Sequence, residues 1–256
     1  MSKSIPIVSI VIPTLNQGAY LRECIESVLN QDYPNIEIYV VDGVSSDSSL
    51  EILAGYASRI SWISEKDHGQ TEAINKGMRL THGEICGFLN SDDTLNPGAV
   101  SRVMTTFSDK RVLWVTGDYA VINANGKHIQ KLVVIYKRVL RLFSSKLMIS
   151  LANYIVQPST FWRRELFEKI GYFDESLSYV MDYDFWMRAH QIQRPKNIPY
   201  CLSSFRIHSA SKGGSHFLQQ FDEEITVLKR YTRNPFILGL HRLHNQLITT
   251  VYKLIK

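Results

Sequence analysis

The chain has 256 residues, 45% of them hydrophobic and 21% charged, with a formal net charge of +5. That length buries a substantial core in one large α/β domain or two small ones, and the composition excludes a disordered chain. No stretch reaches the roughly eighteen uninterrupted apolar residues a membrane span needs, and the opening MSKSIPIVSIVIPT carries no secretory-signal pattern.

Residues 7–14 are a β-branched run ended by Pro13, which predicts a first strand. Residues 19–31 place Leu21, Cys24, Ile25, Val28 and Leu29 on one helical face. A second strand is predicted over 36–43, and Asp47 or Ser48 caps a helix carrying Leu50, Leu53 and Ala54. Then come a third strand over 59–65, a short helix over 72–80 and a fourth strand over 85–89. A helix over 97–107, capped by Asn96-Pro97, and a fifth strand over 111–119 complete this part. Apolar strands alternating with helices predict an α/β fold with a Rossmann-like, mostly parallel sheet and helices on both faces.

Beyond Tyr119 the alternation breaks. NANG at 123–126 predicts a hairpin, and the apolar, basic stretch to Ser150 reads as helical. Helices are predicted at 163–170 and 184–190, and a strand at 198–208. From Phe236 onward Leu240, Leu243, Leu247, Val251 and Leu254 recur at steps of three and four, an amphipathic helical tail. The pattern divides the chain into a first half, 1–118, a second, 119–215, and a basic tail, 216–256. Residues 119–164 hold eight Lys or Arg and no acid, and residues 225–256 hold six and no acid, so the remainder is net acidic. Cys24, Cys86 and Cys201 are odd in number and far apart in apolar settings. They read as reduced core thiols and point to a cytoplasmic compartment.

In open parallel sheets ligands bind beyond the carboxyl ends of the strands, and every predicted strand here ends in polar residues. Thr14 and Asn16 follow the first, Asp42, Ser45 and Asp47 the second, and Glu65, Asp67, His68 and Gln70 the third. Asn90, Ser91, Asp92 and Asp93 follow the fourth, and Asp118 ends the fifth. Turn and cap chemistry accounts for any one of these alone. So many carboxylates on one rim repel each other unless a cation or hydrogen-bond donors are bound there. The G-x-G-x-x-G dinucleotide fingerprint, a P-loop, a nucleophile elbow and zinc-ligand spacing are all missing. NSDDT has Asn90 where the D-x-D-x-T phosphatase motif needs its nucleophilic Asp.

The segments VSIVIPTLNQGAYLRECIESVLNQDYPNIEIYVVDGVSSDSS, SEKDHGQTEAINKGM, GFLNSDDT, QPSTFWRRELFEKIGYFDESL, MDYDFWMRA and FRIHSASKGG occur in order. Together they resemble family 2 glycosyltransferases with the GT-A fold, of the bacterial polysaccharide-biosynthesis type, over about residues 5–215. The resemblance implies an inverting transferase that uses Mn²⁺ or Mg²⁺ and a nucleotide-diphosphate sugar, UDP-linked by preference. It places Pro13, Thr14 and Asn16 beside the nucleotide, Asp42 on the pyrimidine N3–H, and Asp67 near base and ribose. Asn90 and Asp92 take the acidic positions of the D-x-D motif, Asp92 on ribose or metal, with Asp93 the main metal carboxylate. Asp182 falls at the acceptor-activating base. Met181 stands where the family has Glu, which leaves Asp184 as the other candidate. Arg206, His208 and Lys212 match a loop that closes on the diphosphate, with His208 a metal or phosphate contact.

The departures at Asn90 and Met181 leave an alternative, a non-catalytic nucleotide-sugar binder of the same fold. Nucleic acid is not expected, because the basic residues are interleaved with Leu, Ile and Val rather than with base-reading aromatics. The same interleaving suits peripheral contact with the inner face of the plasma membrane, where a lipid-linked saccharide acceptor would lie. Otherwise the tail's apolar stripe packs on the domain or on a second copy in a homo-oligomer. Tyr136, Trp162, Phe185 and Trp186 are either core or platforms for acceptor sugars.

Overall fold

The computed structural model describes residues 5–209, 211 and 217–255. The first half runs β1 (Val8–Thr14), α1 (Gly18–Leu29), β2 (Ile36–Asp42), α2 (Ser49–Gly55), β3 (Ser61–Ser64), α3 (Gln70–Leu80), β4 (Ile85–Phe88), β5 (Thr94–Leu95) and α4 (Ala99–Phe107). The second runs β6 (Trp114–Asn123), β7 (His128–Ile129), α5 (Lys131–Leu142), α6 (Lys146–Leu151), β8 (Thr160–Arg163), α7 (Arg164–Ile170), α8 (Met181–Ile192) and β9 (Lys196–Ile207). Two further helices follow, α9 (Phe217–Tyr231) and α10 (Pro235–Ile255).

The sheet order is β3-β2-β1-β4-β8-β6-β9-β5, with β7 hairpinned onto β6. Its long ladders are parallel: Val8–Thr14 pairs with Ile36–Asp42 in full, and β6 pairs with β9 over most of its length. Between these two parallel blocks lies β8, antiparallel to β4 and β6. Alternation along β1 explains the two covered faces. Val8, Ile10 and Ile12 pack with α1, α2 and α4, while Val11 points the other way, toward Ile74 and Met78 of α3. Gly77 lets α3 lie close to the sheet, since a Cβ there would stand 2.4 Å from Val11 Cγ1. The second face holds the stacked Trp114–Trp186 pair, 5.5 Å apart, with Trp162 set edge-on against Trp186. These tryptophans and Phe185 are fully buried, so they serve the core rather than a sugar.

Several expectations are revised. The fifth strand starts at Trp114 and continues to Asn123, and an unexpected strand, β8, runs directly into α7, the helix expected at 163–170. Asn96 does not cap α4; its side chain crosses to Cys201 O and Ser204 Oγ on β9, and Gly98 in the left-handed region opens the helix. The α8 helix begins at Met181, three residues earlier than predicted, so Asp184 is interior. Its carboxylate, 3% exposed, meets Arg188 Nε at 2.8 Å, Arg230 at 3.4 Å and the Tyr231 hydroxyl at 2.8 Å. Asp184 thus ties α8 to α9. The tail also packs on the domain: Val227 and Leu228 join the core beside Tyr183, and His241 is fully buried with Nδ1 3.0 Å from Ser150 O. All three cysteines are free.

Candidate functional site

The carboxyl ends of β1, β2 and β3 build the first part of the site. Asp42 ends β2 fully buried, and Ser45 N, Ser45 Oγ and Ser64 Oγ all donate to its carboxylate. That fixes an acidic group at the strand end without a cation. Pro13 and Thr14 close β1, paired with Val41 and Asp42. The Thr14 hydroxyl is buried with no protein partner, a polar atom left over for a ligand. Asn16 takes a positive φ of 53°, accepts from Ser46 N at 2.8 Å and donates its own N–H to Ser45 Oγ, locking the first loop to the second. Asp47 bonds the N–H groups of both Gly18 and Ser49, joining the starts of α1 and α2. Asp67 leans over Gly43, where a Cβ would stand 2.9 Å from its Oδ2. Any side chain at 43 would push the Asp67 carboxylate aside.

The turn after β4 carries the second part. Its two carboxylates differ in environment. Asp93 is completely buried, its Oδ1 accepts from Arg206 N at 2.8 Å, and burial followed by the Asp92 charge pushes its carboxyl well above the usual range. Asp92 is 18% exposed, and its Oδ2 lies 3.0 Å from His208 Nε2. Asp93, expected to lead on the metal, therefore sits behind the turn, anchored on Arg206 N, while Asp92 stays partly open beside the His208 imidazole, which is only 7% exposed. Among the described residues no group of three or more His, Cys, Asp or Glu gathers around a metal position. The Asp92–His208 pair still fits Mn²⁺ or Mg²⁺, which take one or two protein ligands and fill the remainder with phosphate and water oxygens.

Arg206, expected in a mobile loop, lies instead in β9, 2% exposed. It donates to Asp92 O and Glu23 and stands over the Tyr20 ring. Lys212 lies outside the described residues. Asp118 on β6 is held by Arg138 at 2.8 Å and by buried Arg141.

Beyond Asn90 opens a cavity of about 320 Å³, lined by Gln70, Asn90, Gln157, Met181, Asp182, Lys137 and Glu224 among others. Gln70 Nε2 donates to Asn90 Oδ1 at 2.6 Å, and Gln157 Nε2 donates to Phe88 O. The cavity thus connects the D-x-D turn to Asp182, which stands in the first turn of α8. That turn is fixed from α9, because Glu223 accepts from the N–H groups of Ser178, Tyr179 and Val180. Burial, then the nearby Glu224 carboxylate, pushes the Asp182 carboxyl up to about 6, against Lys137 and the Tyr183 N–H, which lower it. Glu224 is buried beside Asn245 and His241 of α10. The sequence reading missed Glu224, Lys137 and Gln157. For Glu224 the signal was slight: it is the last acid before the acid-free tail.

Residues 9–171 match the model of a family described as "Glycosyl transferase family 2". An uncharacterised glycosyltransferase of Rickettsia typhi is 32% identical over 244 residues, covering 91% of this chain and 75% of that protein. Chondroitin synthase of Escherichia coli is 33% identical over 202 residues, 77% of this chain but only 28% of that protein. Among solved structures, S. aureus TarS 1-349 in complex with UDP-GlcNAc has a TM-score of 0.68 at 20% identity, covering 87% of this chain and 65% of that one. The mannosyltransferase PcManGT from Pyrobaculum calidifontis, in complex with GDP-Man and Mn2+, has a TM-score of 0.69 at 18% identity, covering 94% and 74%. At such identities the two structures establish the fold, which is GT-A, while the family model and the Rickettsia relative establish kinship: this chain is a glycosyltransferase belonging to family 2.

Proposed function

We propose that the chain is an inverting, metal-dependent hexosyl- or N-acetylhexosaminyltransferase. It takes a sugar from a UDP-linked donor to a saccharide or lipid-linked saccharide in cell-surface polysaccharide biosynthesis. The observation that carries this reading is Asp182, a carboxyl pushed up to about 6, in a cavity that runs to the D-x-D turn. A carboxylate of that kind is ionised at neutral pH and basic enough to accept a hydroxyl proton.

In this reading Asn16, Thr14 and Asp67 flank the nucleotide, while Asp42, expected on the base N3–H, is sealed beneath them and orders Ser45 and Ser64. Asp92 and His208 would hold a divalent ion, which when bound would offset the charge of the diphosphate. Gln70 holds Asn90 in the wall between donor and acceptor, as its 2.6 Å bond requires. Asp182 takes the acceptor proton as the acceptor oxygen attacks the anomeric carbon on the face opposite the diphosphate, so configuration inverts without a covalent intermediate. Asp184 stays out of the chemistry, committed to Arg188 and Tyr231.

The test is a panel of nucleotide sugars scored by thermal stabilisation with and without Mn²⁺, followed by NMR of the anomeric centre in the product. UDP-sugars should stabilise most, and more with the ion, and the product should carry the inverted anomer. A retained anomer, or stabilisation indifferent to nucleotide, overturns the reading.

A further inference from the structure

We propose that the outer face of α5 and the adjoining start of α6 beds on an anionic lipid bilayer, holding the mouth of the cavity at the membrane surface. Helical spacing puts Leu132, Ile135, Val139 and Leu142 on one stripe of α5, and Phe143 and Leu147 extend it. These side chains face solvent: Leu132 is 75% exposed, Leu142 73% and Phe143 64%. A folded domain rarely leaves so many large apolar groups together in water. The neighbouring stripe of the same helix, Val133, Tyr136, Lys137 and Leu140, lines the cavity. The second wall is α10, whose His244 ring stacks on Tyr136 at 6.0 Å and which exposes Leu243 and Leu247 beside it.

Charge selects the occupant. Exposed Lys127, Lys131 and Lys146 flank the apolar stripe and exposed Arg242 lies on α10; Arg138 is paired with Asp118, and residues 119–164 contain no acid. Anionic headgroups complement that rim while the apolar side chains enter the acyl boundary. A second copy docked through the same patch would set cationic rim against cationic rim. Among the described residues no helix is long and apolar enough to cross a membrane, so the contact is peripheral. The docking face stands on its own observations. Its consequence, a lipid-linked acceptor delivered to Asp182, rests on the transferase reading above.

The experiment is co-sedimentation of the full chain with phosphatidylcholine vesicles, with and without phosphatidylglycerol, alongside transfer to a soluble acceptor and sedimentation velocity. Binding should require phosphatidylglycerol and weaken with salt. At about 1 kcal/mol per cation, Lys127→Gln/Lys131→Gln should lower it roughly 25-fold. Leu142→Ser/Phe143→Ser should lower it at least about tenfold, and both variants should keep soluble transfer. Absent binding, equal binding to neutral vesicles, or a concentration-dependent dimer that the Leu142→Ser/Phe143→Ser pair abolishes would each overturn the proposal. Loss of donor binding in the unmutated protein would sink the transferase reading and leave vesicle binding to stand or fall separately.

Discussion

Asp182→Asn should make the enzyme nearly inactive and the fold more stable at alkaline pH. The carboxyl moves from an ordinary 3.8 to about 6 on folding, because burial and Glu224 disfavour its charged form. The folded state therefore holds this proton more tightly than the unfolded state. The sign follows: stability is greatest below the unfolded pKa, declines between about pH 4 and pH 6, and stays reduced above that. A shift of roughly two units corresponds to at most about 3 kcal/mol, and the side chain's remaining access to the cavity brings this to about 1–3 kcal/mol. Asparagine keeps the acceptor for the Tyr183 N–H and never carries the charge. At pH 8 the variant should melt several degrees higher than the parent, with the difference closing by pH 4. Its transfer rate should fall by about 10²–10⁴, with nucleotide-sugar affinity unchanged. Melting curves across pH, paired with single-turnover transfer, measure both. An Asn variant that is less stable at pH 8, or one that transfers at the parent rate, refutes the assignment.

Glu224→Gln should move the acidic limb of the pH–rate profile to lower pH, since a like charge beside Asp182 is lost, and Lys137→Met should move it upward; coincident limbs would exclude both as neighbours of the base. Asp184→Asn should lower stability by about 2–4 kcal/mol in denaturant titration, because buried bonds to Arg188 and Tyr231 are weakened, while the rate per folded molecule stays near the parent's. Asp92→Ala should raise the Mn²⁺ concentration for half-maximal transfer at least about tenfold. Asp93→Ala should instead show first as a lower melting temperature, from the lost anchor on Arg206 N.

The parallel first half was legible because local signals agreed there: β-branched runs, turn residues and helical spacing all point to the same elements. The strand β8 was not, since TFWR continues without punctuation into the α7 helix, and only pairing with Ile85 and Trp114 makes it a strand. Polar residues at strand ends marked the donor side, yet their order of importance was hidden. Asp92 and Asp93 are adjacent and chemically identical, and only burial separates the outward carboxylate from the one behind the turn. Arg206 was expected at the diphosphate because the resemblance put it in a loop that closes there. In the fold it is occupied by Glu23, Tyr20 and the Asp92 carbonyl.

The tail gains its meaning from Met181. The resemblance implies a Glu at that position, where a methionine would leave the base without an acidic neighbour. Glu224 brings a carboxylate to the same cavity from forty-three positions further on, held by Asn245 and His241 of the last helix. The family match ends at residue 171, before Asp182, Glu224 and every residue of α10. The Rickettsia relative, by contrast, aligns over 91% of the chain. Two neighbouring acids of α9 divide the work: Glu223 pins the backbone that leads into Asp182, and Glu224 raises its proton affinity. Under the transferase reading, Glu224 can stand in for the missing Glu only if α9 is itself immobile. The buried contacts of Val227 and Leu228 with the core, and the Asp184–Tyr231 bond, provide that immobility. Under the transferase reading proposed above, α9 and α10 then act as an added wall of the cavity that holds Asp182.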